Sequence, residues 1–449
     1  MVSSSPKKAV KIGVISLGCS KNQIDTEMML ARLDDARFKI VGDVDKADIV
    51  LVNTCGFIGD AKKESMNAIN EMAERKKAGK LKKIVVTGCL AERYRDALIK
   101  KQPLIDAVFG LGNLHDIVTV VKRVLAEKTT ISLYDDKEKT SLDGVRMLAG
   151  ETCSAFLRTS EGCDNRCTYC AIPMIRGRFR SRTMENIIAE AQDLQTAGIR
   201  ELNLIAQDTS NYGADIYGKL MLPELLTRLT KETDIPWIRL FYCYPDKITD
   251  ELIAVMRDNP RILHYIDIPV QHISDAVLKR MNRHGGRALI ENVIARLRAA
   301  MPDIVIRTTA IVGFPGETDE QFAELKDCVE KIRFNRFGAF VYSREDGTPA
   351  ALLPDQIPED VKQARFDEIM TAQAAVSADL LRRCVSTTRP VLCEGFDDET
   401  GLFFGRDYAN GPDVDGLVFF SADNPPAVGD FVNVEITDSD EYDLFGKAV

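Results

Sequence analysis

Three cysteines stand within eight residues in the run Glu161-Gly162-Cys163-Asp164-Asn165-Arg166-Cys167-Thr168-Tyr169-Cys170. Thiolates this closely spaced can wrap one face of a four-iron cube. A zinc knuckle would need a fourth Cys or His at short range, and none follows. The spacing therefore predicts an iron–sulfur cluster on Cys163, Cys167 and Cys170, with one iron left without a protein ligand. The loop also follows a strand-like run, Ala155–Thr159, so the fold must deliver it at the end of a strand.

That run opens a series. Further strand-like segments are Glu201–Ile205, Trp237–Phe241, Tyr265–Ile268, Ile304–Ala310 and Arg336–Val341. Helical patterns lie between them, among them Met184–Ala197, Asp250–Asp258, Ser274–Asn282 and Asp319–Lys331. Six strand–helix repeats predict a partial parallel TIM-like barrel, whose chemistry belongs at the strand C-terminal ends. An open iron at that mouth can chelate the amino and carboxylate groups of S-adenosylmethionine and pass it an electron, leaving the protein to orient the cofactor.

A second set of cysteines is dispersed. Lys11–Leu17 leads to Cys19, Asp48–Asn53 to Cys55, and Lys82–Thr87 to Cys89, with helical stretches between. This alternation predicts an α/β, doubly wound parallel sheet, in which successive strand ends share one edge. One such cysteine would be an ordinary buried small residue. Three in register predict a second cluster, and Gly18, Gly56 and Gly88 beside them would let the backbone approach a bulky inorganic group. Cys153, Cys243, Cys328, Cys384 and Cys393 show no mutual spacing and read as structural.

Eleven cysteines is an odd count in a chain of 449 residues, which argues against a disulfide framework and for reduced thiols. Only four histidines are present, which disfavours zinc hydrolysis. No run of eighteen apolar residues occurs, and the basic start Met1–Lys8 has no apolar stretch behind it long enough for a signal peptide. A cytoplasmic protein with no membrane association is expected. The formal charge of −9 is concentrated: from Leu381 onward 14 acidic residues face 5 basic ones, and the rest of the chain is neutral.

The expected domains are 9–126, bearing the dispersed cysteines; a polar linker, 127–150; the partial barrel with a long exit helix (Pro358 to about Leu381), 151–384; and 385–449. This last segment has short β-like runs separated by Gly, Asp, Asn and Pro, the pattern of a small antiparallel, OB-like β-barrel. At the barrel mouth, Gly313 and Glu317 of the Ala310–Glu317 turn, with Gln207 and Gln271, are candidates for the S-adenosylmethionine pocket. His272 reads as a core or rim histidine. No catalytic side chain is assigned beyond the cluster ligands.

In its order of motifs the chain resembles the methylthiotransferases of the radical S-adenosylmethionine superfamily over essentially its full length. The match comprises three dispersed N-terminal cysteines, the EGCDNRCTYCAIP loop with RGRFRSR behind it, and a C-terminal barrel of the TRAM type. The resemblance implies two [4Fe–4S] clusters, an auxiliary one on Cys19, Cys55 and Cys89 and a radical-generating one on Cys163, Cys167 and Cys170. It further implies S-adenosylmethionine as cofactor and an electron donor such as flavodoxin or ferredoxin. One branch of the family modifies a tRNA adenosine, the other an aspartate of ribosomal protein S12. LIAQDTSNYG (Leu204–Gly213), YIDIPVQHISDAVLKRMNR (Tyr265–Arg283) and GRDYANGPDVDGLVFF (Gly405–Phe420) resemble the ribosomal-protein branch. The implied reaction abstracts hydrogen from the aspartate β-carbon by a 5′-deoxyadenosyl radical and inserts a methylated sulfur from the auxiliary cluster. An acidic tail suits a basic ribosomal protein and makes direct nucleic-acid binding an unexpected use. The tRNA enzyme is the nearest alternative, and a non-catalytic metal-binding regulator a more distant one.

Overall fold

The structure, a computed structural model, describes residues 9–148, 150 and 152–449, so the basic start lies outside the described residues. The chain divides into two compact units. The first runs to Ala149 and takes back Glu161–Asp164 and Cys170–Arg180; the second holds Gly150–Ser160, Asn165–Tyr169 and Ser181–Val449.

The first unit is a six-stranded parallel sheet. Its strands are β1 (Lys11–Ser16), β2 (Lys39–Val41), β3 (Ile49–Thr54), β4 (Lys83–Gly88), β5 (Ala107–Phe109) and β6 (Ile131–Leu133), in the order β2-β1-β3-β4-β5-β6. Ile-Val-Leu-Val in β3 is buried throughout, as a central strand covered on both faces requires. Successive residues feed opposite cores. Val50 and Val52 pack with Ile69 and Met72 of the helix Gly59–Lys77. Ile49 and Leu51 pack with Met29 and Leu33 of the helix Ser20–Asp35. The sheet is thus doubly wound, as the alternation predicts.

Two boundaries differ from expectation. The supposed linker 127–150 carries β6, which pairs parallel with β5 as the sixth strand. In the same stretch Lys137 donates to Glu92 (3.0 Å), and Arg146 makes a buried ion pair with Glu27 (2.5 Å). A three-residue edge strand has too few residues to show a period, so sequence reading passes over it. Cys170–Arg180 belongs with the first unit because Ala171 and Ile175 pack in one apolar cluster with Cys89 and Leu111.

In the second unit, β7 (Ser154–Arg158), β8 (Glu201–Ile205), β9 (Trp237–Leu240), β10 (Ile262–Asp267), β11 (Val305–Val312) and β12 (Arg336–Val341) pair in parallel, each with the next in the chain. The last does not return to the first, so the barrel is partial, as the six repeats predict. Three of its helices start alike: Thr183, Thr249 and Thr318 each accept, through the side chain, the N–H three residues on. At Thr318 the Gln321 side chain returns the bond, completing a capping box.

The helix Glu359–Arg382 leads to a closed barrel of β13 (Thr388–Asp397), β14 (Leu402–Arg406), β15 (Val418–Ser421), β16 (Phe431–Ser439) and β17 (Leu444–Ala448). It is antiparallel except for the β15–β17 pair. The loop after β14 is tied into the central sheet. Glu201 of β8 accepts from Arg239 of β9 (2.9 Å) and from Arg406 of β14 (2.6 Å), and the Tyr265 hydroxyl donates to Asp415 (2.6 Å). Among the described residues no helix is long and apolar enough to cross a membrane.

Candidate metal centres

In the first sheet the chain leaves β1 toward β2 on one side, while β3 lies on the other. That reversal is the topological switch point, where open α/β sheets bind ligands beyond the strand C-termini. The three dispersed cysteines sit there. Cys19 immediately precedes the helix Ser20–Asp35, Cys55 directly follows β3, and Cys89 opens the short helix after β4. The glycines beside them also let the loops approach one another. A Cβ on Gly18 would lie 2.7 Å from Cys55 Cβ, and one on Gly56 2.7 Å from Leu90 Cα, beside Cys89.

Buried amides hold these strand ends together. Asn22 donates to the carbonyls of Leu17 (2.9 Å) and Thr54 (3.0 Å), and its own side-chain oxygen accepts from Cys89 Sγ (3.4 Å). Asn53 donates to the Asn22 carbonyl at 2.8 Å. Burial pushes the Cys89 thiol up to about 12, against the pull of the Arg176 guanidinium, and burial likewise raises Cys55. Such thiols hold their protons at neutral pH unless a metal displaces them. An all-sulfur donor set gathered at one strand edge fits a four-iron cluster. Among the described residues no three His, Cys, Asp or Glu side chains close as tightly as the shell of a single ion. A cube of four irons spreads its thiolates wider than one ion does.

On the second loop, Cys163 and Cys167 are buried and Cys170 is half-buried. The Cys163 N–H donates to the Gly177 carbonyl (3.2 Å), and the Ile172 N–H to Cys170 Sγ (3.4 Å). Around Cys167 the second unit supplies a guanidinium and a phenol. Arg283 Nη1 and the Tyr244 hydroxyl each lie 3.8 Å from its Sγ, and Arg283 stacks on the Tyr244 ring at 4.1 Å. Asn165 is fixed by Asp208 (2.7 Å) and Lys247 (3.2 Å), while Asp208 also pairs with Lys247. Thr168 donates its N–H to the Met281 carbonyl (3.0 Å). Three thiols on so short a loop, backed by donors to sulfur, fit a cluster here as well.

Lys247 and Arg283 were not singled out from the sequence, and Asp208 only as one of the polar residues that follow the second barrel strand. Asp208 and Arg283 do stand inside the quoted stretches LIAQDTSNYG and KRMNR, but nothing in their spacing shows that they reach Asn165 and Cys167.

The cofactor-pocket candidates divide. Gln207 and Gln271 follow β8 and β10 and are half-buried. Gln271 has a left-handed backbone (φ +71°) and is bonded through its main chain to Thr309 and Ile311, both at 2.8 Å. Glu317 does not present itself to a ligand. Its carboxylate accepts from the N–H groups of Gly313 and Phe314, lies 3.4 Å from Arg365 and 3.6 Å from His272, and is fully buried. At Gly313 the space for a Cβ is filled by Lys362 rather than left open for an adenine. That turn is therefore self-sealing. His272 is a core histidine whose Nδ1 accepts from the Ser274 N–H (3.0 Å). All eleven cysteines are free thiols; of the five read as structural, Cys153, Cys243, Cys328 and Cys393 are buried and Cys384 is half-buried.

Comparison with known proteins matches three stretches of the chain. Residues 11–110 match the model of the uncharacterized protein family UPF0004, 157–329 the radical SAM superfamily, and 385–449 the TRAM domain. A ribosomal protein uS12 methylthiotransferase RimO of Thermoanaerobacter sp. (strain X514) is 47% identical over 437 residues, covering 97% of this chain and 99% of that protein. The chain belongs to the RimO family. Its Geobacter sulfurreducens relative is 44% identical over 441 residues, covering 98% of each chain. The tRNA alternative is not favoured by these RimO relatives. Among solved structures, the radical S-adenosylmethionine methyltransferase TsrM of Kitasatospora setae, with cobalamin and a [4Fe-4S] cluster bound, shares the fold at 15% identity. Its TM-score is 0.56, and the match covers 77% of this chain and 74% of that one. RimO-family membership makes the chain a radical S-adenosylmethionine methylthiotransferase, with the three-part α/β architecture expected.

The acidic tail is only partly a surface. Asp407 pairs with Arg389 (2.7 Å) and Asp415 with Arg307 (3.5 Å), both carboxylates being buried. Glu394 is committed to Arg406. Asp398, Glu399, Glu435, Asp438, Asp440 and Glu441 remain exposed.

Proposed function

We propose that this chain methylthiolates the β-carbon of an aspartate in ribosomal protein S12. The observation that carries the reading is the arrival of Cys19, Cys55 and Cys89 at one switch point, in a chain that also bears the Cys163–Cys170 loop. Sulfur insertion needs both a radical source and a sulfur donor, whereas hydrolytic or hydride chemistry would need neither centre. Near-full-length similarity to RimO proteins supports the substrate.

Cys19, Cys55 and Cys89 would hold the auxiliary cluster, and Cys163, Cys167 and Cys170 the radical-generating one. When bound, these clusters and S-adenosylmethionine supply one-electron cleavage, hydrogen abstraction and a sulfur donor. The protein's own part is placement. Asp208 and Lys247 lock Asn165, and Arg283 and Tyr244 fix Cys167, so the cluster loop has little freedom. Gln207 and Gln271 stand at strand ends where an amide can orient a polar cofactor, and they are our pocket residues. Gly313 and Glu317 support the turn from behind. The exposed acids of the TRAM barrel would attract a basic ribosomal protein, direct nucleic-acid binding being disfavoured there. The electron donor is a flavodoxin or ferredoxin, and the compartment is the cytoplasm.

Mass spectrometry of S12 from cells with and without the gene tests the reading. A methylthio mass on one aspartate, lost with the gene and restored by its re-expression, is expected. An S12 mass indifferent to the gene would overturn it.

A further inference from the structure

Arg176 is a buried cation to which the motifs assign no role. It ends the short helix Ile172–Arg176, six residues beyond Cys170, and its side chain is 3% exposed. One guanidinium nitrogen donates to Glu161 at 2.9 Å. The other donates to Asn22 Oδ1 at 2.6 Å, lies 3.0 Å from Asp25, and reaches Cys89 Sγ at 3.5 Å. Asn22 is the same amide that ties the ends of β1 and β3. A permanent positive charge is therefore fixed, out of water, against one of the three dispersed thiols. Two carboxylates oppose it from a short distance.

Cluster reduction potentials respond to net charge and to hydrogen bonds on sulfur, and low dielectric strengthens both effects. Forming a C–S bond from a carbon radical and a thiolate lone pair uses two of three electrons. The third must be taken up at the sulfur-donor site. A cation bonded to Cys89 favours that uptake.

We propose that Arg176 sets the reduction potential of the cluster held by Cys19, Cys55 and Cys89, raising it through its charge and its bond to Cys89, while Asp25 and Glu161 oppose it. Arg176 is in this sense a positioning and tuning residue, and its role rests on the auxiliary-cluster reading above.

The test uses the full chain carrying Cys163→Ala, Cys167→Ala and Cys170→Ala, so that only the dispersed site can be loaded. After reconstitution with iron and sulfide, the midpoint potential is read by EPR-monitored titration. Arg176→Gln is expected to lower it, Glu161→Gln and Asp25→Asn to raise it, and Arg176→Lys to stay nearest the parent. Shifts of opposite sign from the cation and its carboxylates are a signature that loosened packing does not produce. If Arg176→Gln holds no cluster, the carboxylate variants, which keep the guanidinium, decide alone: an upward shift supports the proposal. Unchanged potentials in loaded variants, or shifts of one sign throughout, overturn it. A parent that binds no iron at all would instead refute the auxiliary-cluster reading.

Discussion

Cys163, Cys167 and Cys170 sit on one loop with three and two residues between them, whereas Cys19, Cys55 and Cys89 arrive from three strands of a parallel sheet. The local set is nearly assembled by chain connectivity. The dispersed set exists only once β1, β3 and β4 have paired, because more than thirty residues separate each cysteine from the next. Both end with a buried guanidinium on a thiol, Arg283 on Cys167 and Arg176 on Cys89. The difference teaches that similar ligand chemistry can be reached with folding as an optional or an obligatory first step.

The largest expected effect separates the two sets by what survives. Cys167→Ala should abolish both S-adenosylmethionine cleavage and methylthiolation. Cys89→Ala should abolish methylthiolation yet leave 5′-deoxyadenosine formation measurable by chromatography. Each should hold about four irons per chain in place of about eight. Equal loss of both activities in the two variants would break the comparison.

A third guanidinium network shows what such a cluster of charges does away from the cysteines. Glu201→Gln leaves Arg239 and Arg406 without their shared carboxylate and should cost about 3–5 kcal/mol in urea unfolding. Iron per folded chain should not change. Desolvation works against ionisation of Glu201, but the two arginines outweigh it and hold its carboxyl down at about 2. A depressed carboxylate contributes stability above its unfolded value of about 4.3, and that contribution is lost as the pH falls toward about 2. About 3 kcal/mol is at stake over that window. The parent should therefore lose more stability between pH 5 and pH 3 than Glu201→Gln does.

Chelation sharpens the contrast further. Closing a loop of thirty-odd residues restricts the unfolded chain more than closing one of three or four, by about 2 kcal/mol per loop. Removing iron from the Cys163→Ala/Cys167→Ala/Cys170→Ala protein should lower its unfolding midpoint more than removing it from the Cys19→Ala/Cys55→Ala/Cys89→Ala protein. Calorimetry of the loaded and stripped forms measures this. The smallest effect expected is at Arg283. Arg283→Lys retains charge but loses the planar stack on Tyr244, and should slow S-adenosylmethionine cleavage about tenfold. Methylthiolation per cleavage event should stay unchanged.

Much of this was legible beforehand, for reasons that differ by element. The six barrel strands and most of the connecting helices could be read because long apolar runs alternate with amphipathic ones. The helix after Cys19 spans Ser20–Asp35, and its polar first-turn residues Lys21 and Asn22, which carry no apolar signal, are buried. β2, β5, β6 and β17 escaped notice. Three of them have only three residues, and β17 was masked by the glycine and charged residues around it. Gly313 and Glu317 looked like a cofactor turn because a glycine-rich stretch at a strand end reads the same whether a ligand or Lys362 fills the space.

By itself the sequence determined which thiols the chain can offer, since sulfur type and spacing are covalent properties of the chain. It also determined the class of fold, because strand–helix alternation over both halves admits few packings. Only the tertiary structure decided which charges stand beside the sulfurs. Arg176 lies 154 residues from Asn22 and 87 from Cys89, and Arg283 lies 116 from Cys167. No local pattern encodes such pairings. They arise because parallel strands bring their C-terminal ends to one edge, where a buried guanidinium must find acceptors.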